Sequence, residues 1–410
     1  MSSSTITASS LAEPAAARRP VAAKRPLILH WVFCHLRKRG SYEDYLIAAG
    51  REAAGQGFRM AVVARAIVDP DVMDALRGAG VDVQCVADED LNSTLFFARQ
   101  VLQLRPELVH CHFGSPSTSL APIAKMLGVR RFVFTDHGSR TELDTGTARL
   151  SPRRLRRRLY GHFIDLYLPV SAFVGDQIVR EVGASRDRVL RLFNGVDTRR
   201  FRPLGDRETI ARKRARAFGL APGQRCVIYV GQLSEAKGVD DLLAIQSEIL
   251  DRFPDVSVVW IGDGPLGADV SRTASPRVRH LGLRSDVEML LPLADVIVAP
   301  SRWHEAFCLT VAEAAAAGVP AVAARVGGIP EVVANGETGI LFPPGDRKAL
   351  AGSLGLLLAD ETLRTRMGTA ARRQAQALFS LDVMVTSTFE HYRRLGLRAA
   401  APVNVQATNG

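Results

Sequence analysis

Short runs of β-branched and other apolar residues alternate with longer helical patterns along this chain, and the whole alternation occurs twice. In the first series the apolar runs are 27–32, 60–63, 81–83, 108–113, 131–135 and 166–170. Runs this continuously apolar suit strands covered on both faces, as in parallel sheets. The stretch between the first two carries Tyr45, Leu46 and Ala49 on one helical face over 42–56, with Gly55 and Gly57 as stop signals. Strand, helix and strand at this rhythm specify a doubly wound parallel sheet. A polar, basic segment follows at 198–223, bounded by Pro203 and Pro222, which reads as one exposed helix near a junction. The alternation then restarts with runs at 226–230, 256–261, 278–281, 296–299 and 321–323. The fold class is therefore α/β, with two Rossmann-like domains in tandem. A length of 410 residues agrees, being too long for one core. The expected boundaries are 26–190 and 191–376. A final helix over 377–397, with Val383, Phe389 and Tyr392, is apolar enough to pack back on the first domain. Residues 1–25 and 398–410 read as a disordered leader and tail. The Ser, Ala and Arg content of the leader also suits a transit peptide.

Other classes fall away. The apolar stretch 312–324 is broken by Glu313, Gly318 and Pro320, well short of a membrane span. The five cysteines, Cys34, Cys85, Cys111, Cys226 and Cys308, form no CxxC pair and read as reduced and mostly buried in a cytoplasmic protein. A net charge of +11 suits an anionic partner, or merely an Arg-rich composition. Nucleic acid is not the expected partner, because no recognised module and no basic–aromatic interleaving is present. The basic stretch between Arg149 and Arg158 has Leu155, Leu159, Phe163 and Leu166 at helical spacing. It reads equally as a helix in peripheral contact with an anionic membrane or as a solvated helix face.

Ligands of such sheets bind beyond the carboxyl ends of strands. There the chain places Glu305 on a loop and Glu313 in the first turn of the following helix. A carboxylate so placed can accept hydrogen bonds from a vicinal diol. Locally, Thr310 and Glu313 fit a capping box just as well. His110 and His112 share a strand face, and with His137 they raise the question of a metal site. Cys308 has no neighbour in sequence that would activate it as a nucleophile.

Wider motifs decide the reading of the glutamate pair. Gly327-Gly328-Ile329-Pro330-Glu331-Val332-Val333 lies downstream, and Asn194-Gly195-Val196-Asp197 stands near the junction. Gly231-Gln232-Leu233 with Lys237-Gly238, and Gly262-Asp263-Gly264, lie upstream. In this order the set resembles the retaining glycosyltransferases of family 4, the group 1 glycosyltransferases of GT-B fold, over roughly 27–395. The resemblance implies a nucleotide diphosphate sugar as donor and a cleft between the domains. Glu313 would hold the ribose and Glu305 the donor sugar. Lys237 would clamp the diphosphate, with backbone amides around Phe307, Cys308 and Leu309 beside it. His137 would stand at the donor sugar. Gly40, in a loop like the family's glycine-rich one, would let backbone approach phosphate, with Arg37, Lys38 and Arg39 adding charge. His137, Glu305 and Lys237 are the expected catalytic groups, and neither a cofactor nor a metal is expected. Gln232 departs from the family, which usually has Arg there, so either another cation substitutes or the diphosphate is held less firmly. The implied reaction is hexosyl transfer to a glycan or lipid-linked acceptor, in cell-surface or exopolysaccharide synthesis. A sugar-nucleotide epimerase, a phosphorylase or a non-catalytic binding homologue on the same fold is the alternative.

Overall fold

The computed structural model describes residues 25–36, 39–67, 69–138, 152–221 and 223–399, the side chains of Arg153 and Arg154 excepted. The leader before residue 25, the tail from residue 400, and Arg37, Lys38, Arg149 and Pro222 lie outside the described residues. The first sheet comprises β1 (Leu27–Val32), β2 (Arg59–Ala64), β3 (Val81–Cys85), β4 (Leu108–His112), β5 (Arg131–Asp136) and β6 (Leu166–Pro169). Its order is β3-β2-β1-β4-β5-β6, parallel throughout. The second comprises β7 (Arg225–Val230), β8 (Val256–Ile261), β9 (Val278–His280), β10 (Val296–Ala299), β11 (Ala321–Ala324) and β12 (Gly339–Phe342). Its order, β12-β11-β10-β7-β8-β9, is also parallel throughout. Both sheets are doubly wound, which is the expected GT-B architecture.

The differences from the sequence reading have local causes. β12 was not among the expected strands, because its four residues open on a glycine. β3 sits at an edge with a single partner, so only Val81 is fully buried and Gln84 and Cys85 are exposed. The cysteines are accordingly less buried than expected: Cys111 and Cys226 are buried, Cys34 and Cys308 partly so, and Cys85 is exposed. The basic helix runs only from Pro152 to Gly161. Phe163 lies past its glycine end and Leu166 belongs to β6, so the helical spacing of apolar residues crossed an element boundary. Leu155 and Leu159 project to solvent, 71% and 57% exposed.

The last helix, Leu381–Arg394, starts where the Ser380 hydroxyl accepts from the Val383 amide. It packs on the first helix, Ser41–Gly55, and buries Met384, Val385, Phe389 and Tyr392 with Tyr45, Leu46 and Met60 of the first half. Each large apolar side chain so buried contributes roughly 1.5–3 kcal/mol. Backbone bonds from Val196 to Phe379 and from Leu381 to Val196 hold the crossing segments together.

Candidate active site

The loops after β7, β8 and β10 converge where the second sheet reverses its strand order, the usual ligand crevice of such sheets. The turn carrying Lys237 closes at Gly238, φ +68°, where a Cβ would collide with the Pro300 carbonyl. Only glycine allows that approach. The amides of Arg302 and Trp303 both donate to the Ala236 carbonyl, at 3.0 and 2.9 Å. The Arg302 guanidinium donates to buried Asp241 at 2.6 and 2.9 Å, and Arg347 Nε donates to the same carboxylate at 2.8 Å. Forked guanidinium–carboxylate contacts of this kind fix orientation as well as charge. They join the Lys237 turn and the Glu305 loop into one unit. Lys237 Nζ reaches Glu305 Oε1 at 2.5 Å, and the Ser301 hydroxyl donates to the same oxygen at 3.1 Å. The Gly328 amide donates to the Glu305 carbonyl at 2.7 Å. Gly327, φ +58°, has no space for a side chain against the Glu305 backbone. The glycines of the GGIPEVV motif are thus the floor under Glu305.

Two adjoining cavities open here. The smaller, about 210 Å³, is lined by Gln232, Lys237, Glu305, Cys308 and Leu309. The larger, about 530 Å³, is lined by Arg39, Gly40, Arg200, Gln232 and Glu313. Gln232 and Thr310 belong to both. The larger cavity lies between the halves: the Ser41 hydroxyl donates to Glu313 Oε1 at 3.4 Å. Asp44, 3% exposed, receives Arg39 Nε at 2.8 Å and an Arg200 amino group at 3.0 Å. One carboxylate between two guanidiniums leaves this wall net positive, opposite uncharged Gln232. On the far side of the cleft Glu331 accepts from the amides of Ala172 and Phe173 at 2.8 and 3.0 Å, at the first turn of the helix Ala172–Val182. A carboxylate suits that helix end.

Two expectations for this loop are corrected. The helix Leu309–Ala316 starts from Cys308, φ +74°, without a side-chain cap. Glu313 is therefore its fifth residue, past the first turn, and Thr310 lies inside the helix, so the capping box does not form. The Phe307 side chain is buried against Phe193 and Phe379, leaving only its backbone for a ligand. Burial, then the charge of Glu305, pushes the Cys308 thiol up to about 12, so it is protonated.

His137, just after β5, lines neither cavity. Its Nδ1 is 3.2 Å from Asn194 Oδ1, in the NGVD turn, and its Nε2 is 3.4 Å from His112 Nδ1. The ring stacks on Phe113 at 4.1 Å. Desolvation lowers its pKa to about 4, opposed by the Asn194 bond, so the ring is neutral at neutral pH. The third histidine near His110 and His112 is His30 rather than His137: nitrogens of these three buried rings lie within 4.8 Å of one another. They could hold a metal only by giving up existing partners. His30 Nδ1 is 3.0 Å from His112 Nε2, and the two nitrogens of His110 lie 2.6 Å from the hydroxyls of Tyr392 and Thr135.

Ser41, Asp44, Arg200, Asp241 and Arg302 were not singled out from sequence. Asp240 and Asp241, at a helix start, carry a signal that reads only as dipole compensation. Ser41 carries none, because its partner is 272 residues away.

Comparison with known proteins decides the family. Residues 211–374 match the family described as glycosyl transferases group 1, and residues 43–200 match glycosyltransferase family 4. The chain belongs to the group 1 glycosyltransferases. This glycosyltransferase is 30% identical to D-inositol 3-phosphate glycosyltransferase of Corynebacterium diphtheriae, over 82% of its own chain and 86% of that protein. It is 32% identical to sulfoquinovosyl transferase SQD2 of Arabidopsis thaliana over 68% of its chain, but spans only 54% of that relative. The structure of Anabaena HepE in complex with UDP and glucose superposes with a TM-score of 0.68 at 20% identity, covering 89% of this chain and 99% of that one. Among the described residues, no helix of the glycosyltransferase is long and apolar enough to cross a membrane.

Proposed function

We propose that this glycosyltransferase moves a hexosyl group, with retention at the anomeric carbon, from a nucleotide diphosphate sugar to a glycan or lipid-linked acceptor of cell-surface or exopolysaccharide synthesis. The observation that carries the reading is the Lys237–Glu305 pair, held at 2.5 Å on the wall of a cavity that continues, past Gln232, to Glu313. UDP and glucose in the HepE complex support the donor class. Glu313 accepts from the ribose diol. Lys237 meets the diphosphate, where it neutralises charge on the leaving group. Arg39 and Arg200 supply the further cation that Gln232 lacks. Glu305 orients the sugar hydroxyls, and neutral His137 donates or accepts a hydrogen bond at the sugar without adding charge.

In the transfer, the acceptor oxygen bonds to the anomeric carbon from the face the diphosphate leaves. The bond between that carbon and the phosphate oxygen breaks, its electron pair stays on the nucleoside diphosphate, and the acceptor proton passes to that phosphate. Closure of the two halves excludes the water that would otherwise hydrolyse the donor. Leu155 and Leu159, exposed beside Arg156 and Arg158, support peripheral contact with an anionic membrane. Co-sedimentation with anionic liposomes, lost on Arg156→Glu with Arg158→Glu, tests that contact.

A melting-temperature screen with UDP, GDP and ADP tests the donor site. One of the three raises the melting temperature, the corresponding nucleotide sugars slowly release free sugar, and Glu313→Ala removes the shift. If no nucleoside diphosphate shifts melting and Glu313→Ala changes nothing, the donor assignment is wrong.

A further inference from the structure

The Glu305 carboxylate is held within its own half by Lys237 and Ser301, but the chain on either side of it is held by the other half. His304, just before it, stacks its ring on Phe173, with 5.7 Å between centroids and 5° between planes. Such an offset, parallel arrangement is a favourable one for two rings. Ala306, just after it, faces Gly328. A Cβ on Gly328 would lie 2.3 Å from the Ala306 carbonyl oxygen and 3.1 Å from the Ser171 hydroxyl. Phe307 follows, 5.7 Å from Phe193.

Ser171 and Phe173 stand at the start of the helix Ala172–Val182, in the first half. A helix start leaves backbone amides with no partner inside the helix. Here the Ser171 hydroxyl accepts from the Val174 amide at 3.2 Å, and Glu331 of the second half accepts from those of Ala172 and Phe173. Glu331 Oε2 also receives Arg191 at 3.2 Å, and that guanidinium lies over the Phe193 ring at 4.2 Å. Gly328, in the same motif as Glu331, donates its amide to the Glu305 carbonyl at 2.7 Å. The first turn of one helix therefore holds the Glu305 loop twice, through the Phe173 ring at His304 and through Glu331 at the floor. None of Phe173, Arg191, His304 and Glu331 lines either cavity of the donor site. The Glu313 end has its own links across the cleft, through Ser41 and through Asp44 with Arg200.

We propose that Glu331 and Phe173 are positioning residues for Glu305, and that they divide the donor site into two ends. The sugar end is in register only while the helix Ala172–Val182 is seated against the Glu305 loop. The nucleotide end is held independently. The inference rests on the reading in which Glu305 orients the donor sugar and Glu313 meets the ribose, and it adds what sets Glu305 in place. A misplacement of about 1 Å in a positioning group is enough to cost on the order of a hundredfold in rate.

The test uses the full chain with UDP, GDP and ADP and with UDP-glucose, GDP-mannose and ADP-glucose. The pair whose nucleoside diphosphate raises the melting temperature most is titrated calorimetrically, and release of free sugar is followed at steady state. We expect Glu331→Ala and Phe173→Ala each to lower kcat for sugar release about tenfold or more and to weaken the nucleotide sugar, while Kd for the nucleoside diphosphate stays within about twofold. Glu331→Gln keeps a carbonyl oxygen for the helix amides and Phe173→Tyr keeps the ring, so both recover most of the loss. The deciding measurement is a double-mutant cycle with Glu305→Gln, read in kcat and in nucleotide-sugar affinity. A group that acts through Glu305 adds nothing further in that background. Should Glu331→Ala not fold, Phe173→Leu, which keeps apolar bulk without the ring, carries the same cycle. Additive losses in the cycle, or an equal loss of nucleoside diphosphate affinity, overturn the proposal and assign Glu331 and Phe173 to the fold alone. A wild-type chain that binds no nucleoside diphosphate overturns the donor reading instead, so the two failures are distinguishable.

Discussion

Ser41 and Glu313, from opposite halves, share a hydrogen bond of 3.4 Å from the serine hydroxyl to Oε1. It joins the two halves beside the larger cavity, whose lining includes Gly40 and Glu313. A bond this long contributes little, so Ser41→Ala should weaken nucleoside diphosphate binding only two- to threefold, about 0.5 kcal/mol. On the proposed donor reading, in which Glu313 accepts from the ribose diol, Glu313→Ala should weaken it more than about tenfold. Calorimetric titration of both variants checks this, and equal losses would show that Glu313 acts only through Ser41.

The Asp44 bridge predicts a loss specific to phosphate. Arg200→Ala should weaken a nucleoside diphosphate about tenfold and leave the matching nucleoside unaffected. Gln232→Arg in the Arg200→Ala background should restore most of the affinity, because the new cation faces the same cavity. A parallel loss for nucleoside and diphosphate would place Arg200 in the fold rather than at the ligand.

Lys237→Met removes the cation nearest Glu305. If Lys237 meets the leaving diphosphate as proposed, turnover of the nucleotide sugar should fall on the order of a hundredfold or more, with a smaller change in KM, because that charge grows in the transition state. Steady-state sugar release measures the split. A change confined to KM would assign Lys237 to uniform binding.

The buried histidines make stability depend on pH. Burial lowers His30 to about 3 and His137 to about 4, and holds His110 and His112 well below 6.5. Below pH 6.5 the unfolded chain therefore binds more protons than the folded one. The contribution of these rings to stability is fully present about a pH unit or more above 6.5 and is lost as pH drops through 6.5 toward 4. One such imidazole costs about 1.6 kcal/mol between pH 6.5 and 5. Urea midpoints should fall from pH 7.5 to 6 to 5, and His30→Gln should flatten the slope. A midpoint independent of pH would contradict the burial of the cluster.

Cys308 occupies a left-handed backbone conformation, φ +74°. Cys308→Gly should be neutral or stabilising by up to about 1 kcal/mol, whereas Cys308→Val should cost about 1–3 kcal/mol and loosen the start of the helix that carries Glu313. Thermal melts of the two variants give the comparison; the reverse order would mean that side-chain packing, not backbone, governs this position.

The two-sheet architecture was legible because nearly all of its strands are contiguous apolar runs bounded by helical patterns. β12 escaped because Gly339 opens it and its four residues make no run of their own. The Lys237 and Glu305 neighbourhood was legible only through motif resemblance; nothing local connects two residues 68 apart. The Glu313 helix start was misplaced because Thr310-x-x-Glu313 has the letters of a cap, while Cys308 has the backbone of one. The cross-cleft contacts of Ser41, Asp44 and Glu331 join distant segments, and no short-range pattern encodes them. The phenylalanine at 113 gave no sign of its strained backbone, φ +60°, since φ is not written in residue type for any residue but glycine and proline.

The helix Leu381–Arg394 closes the core of the half that is synthesised first, and its Tyr392 hydroxyl sits 2.6 Å from His110 in β4. As the nascent chain leaves the ribosome, Tyr45, Leu46 and Met60 are made long before the residues that cover them. The later-made half has its six strands within one uninterrupted stretch and waits for no such cover. Order of synthesis and order of completion are therefore opposite: the second half can mature while the first is still open, and a chain halted before residue 381 carries an uncovered apolar face.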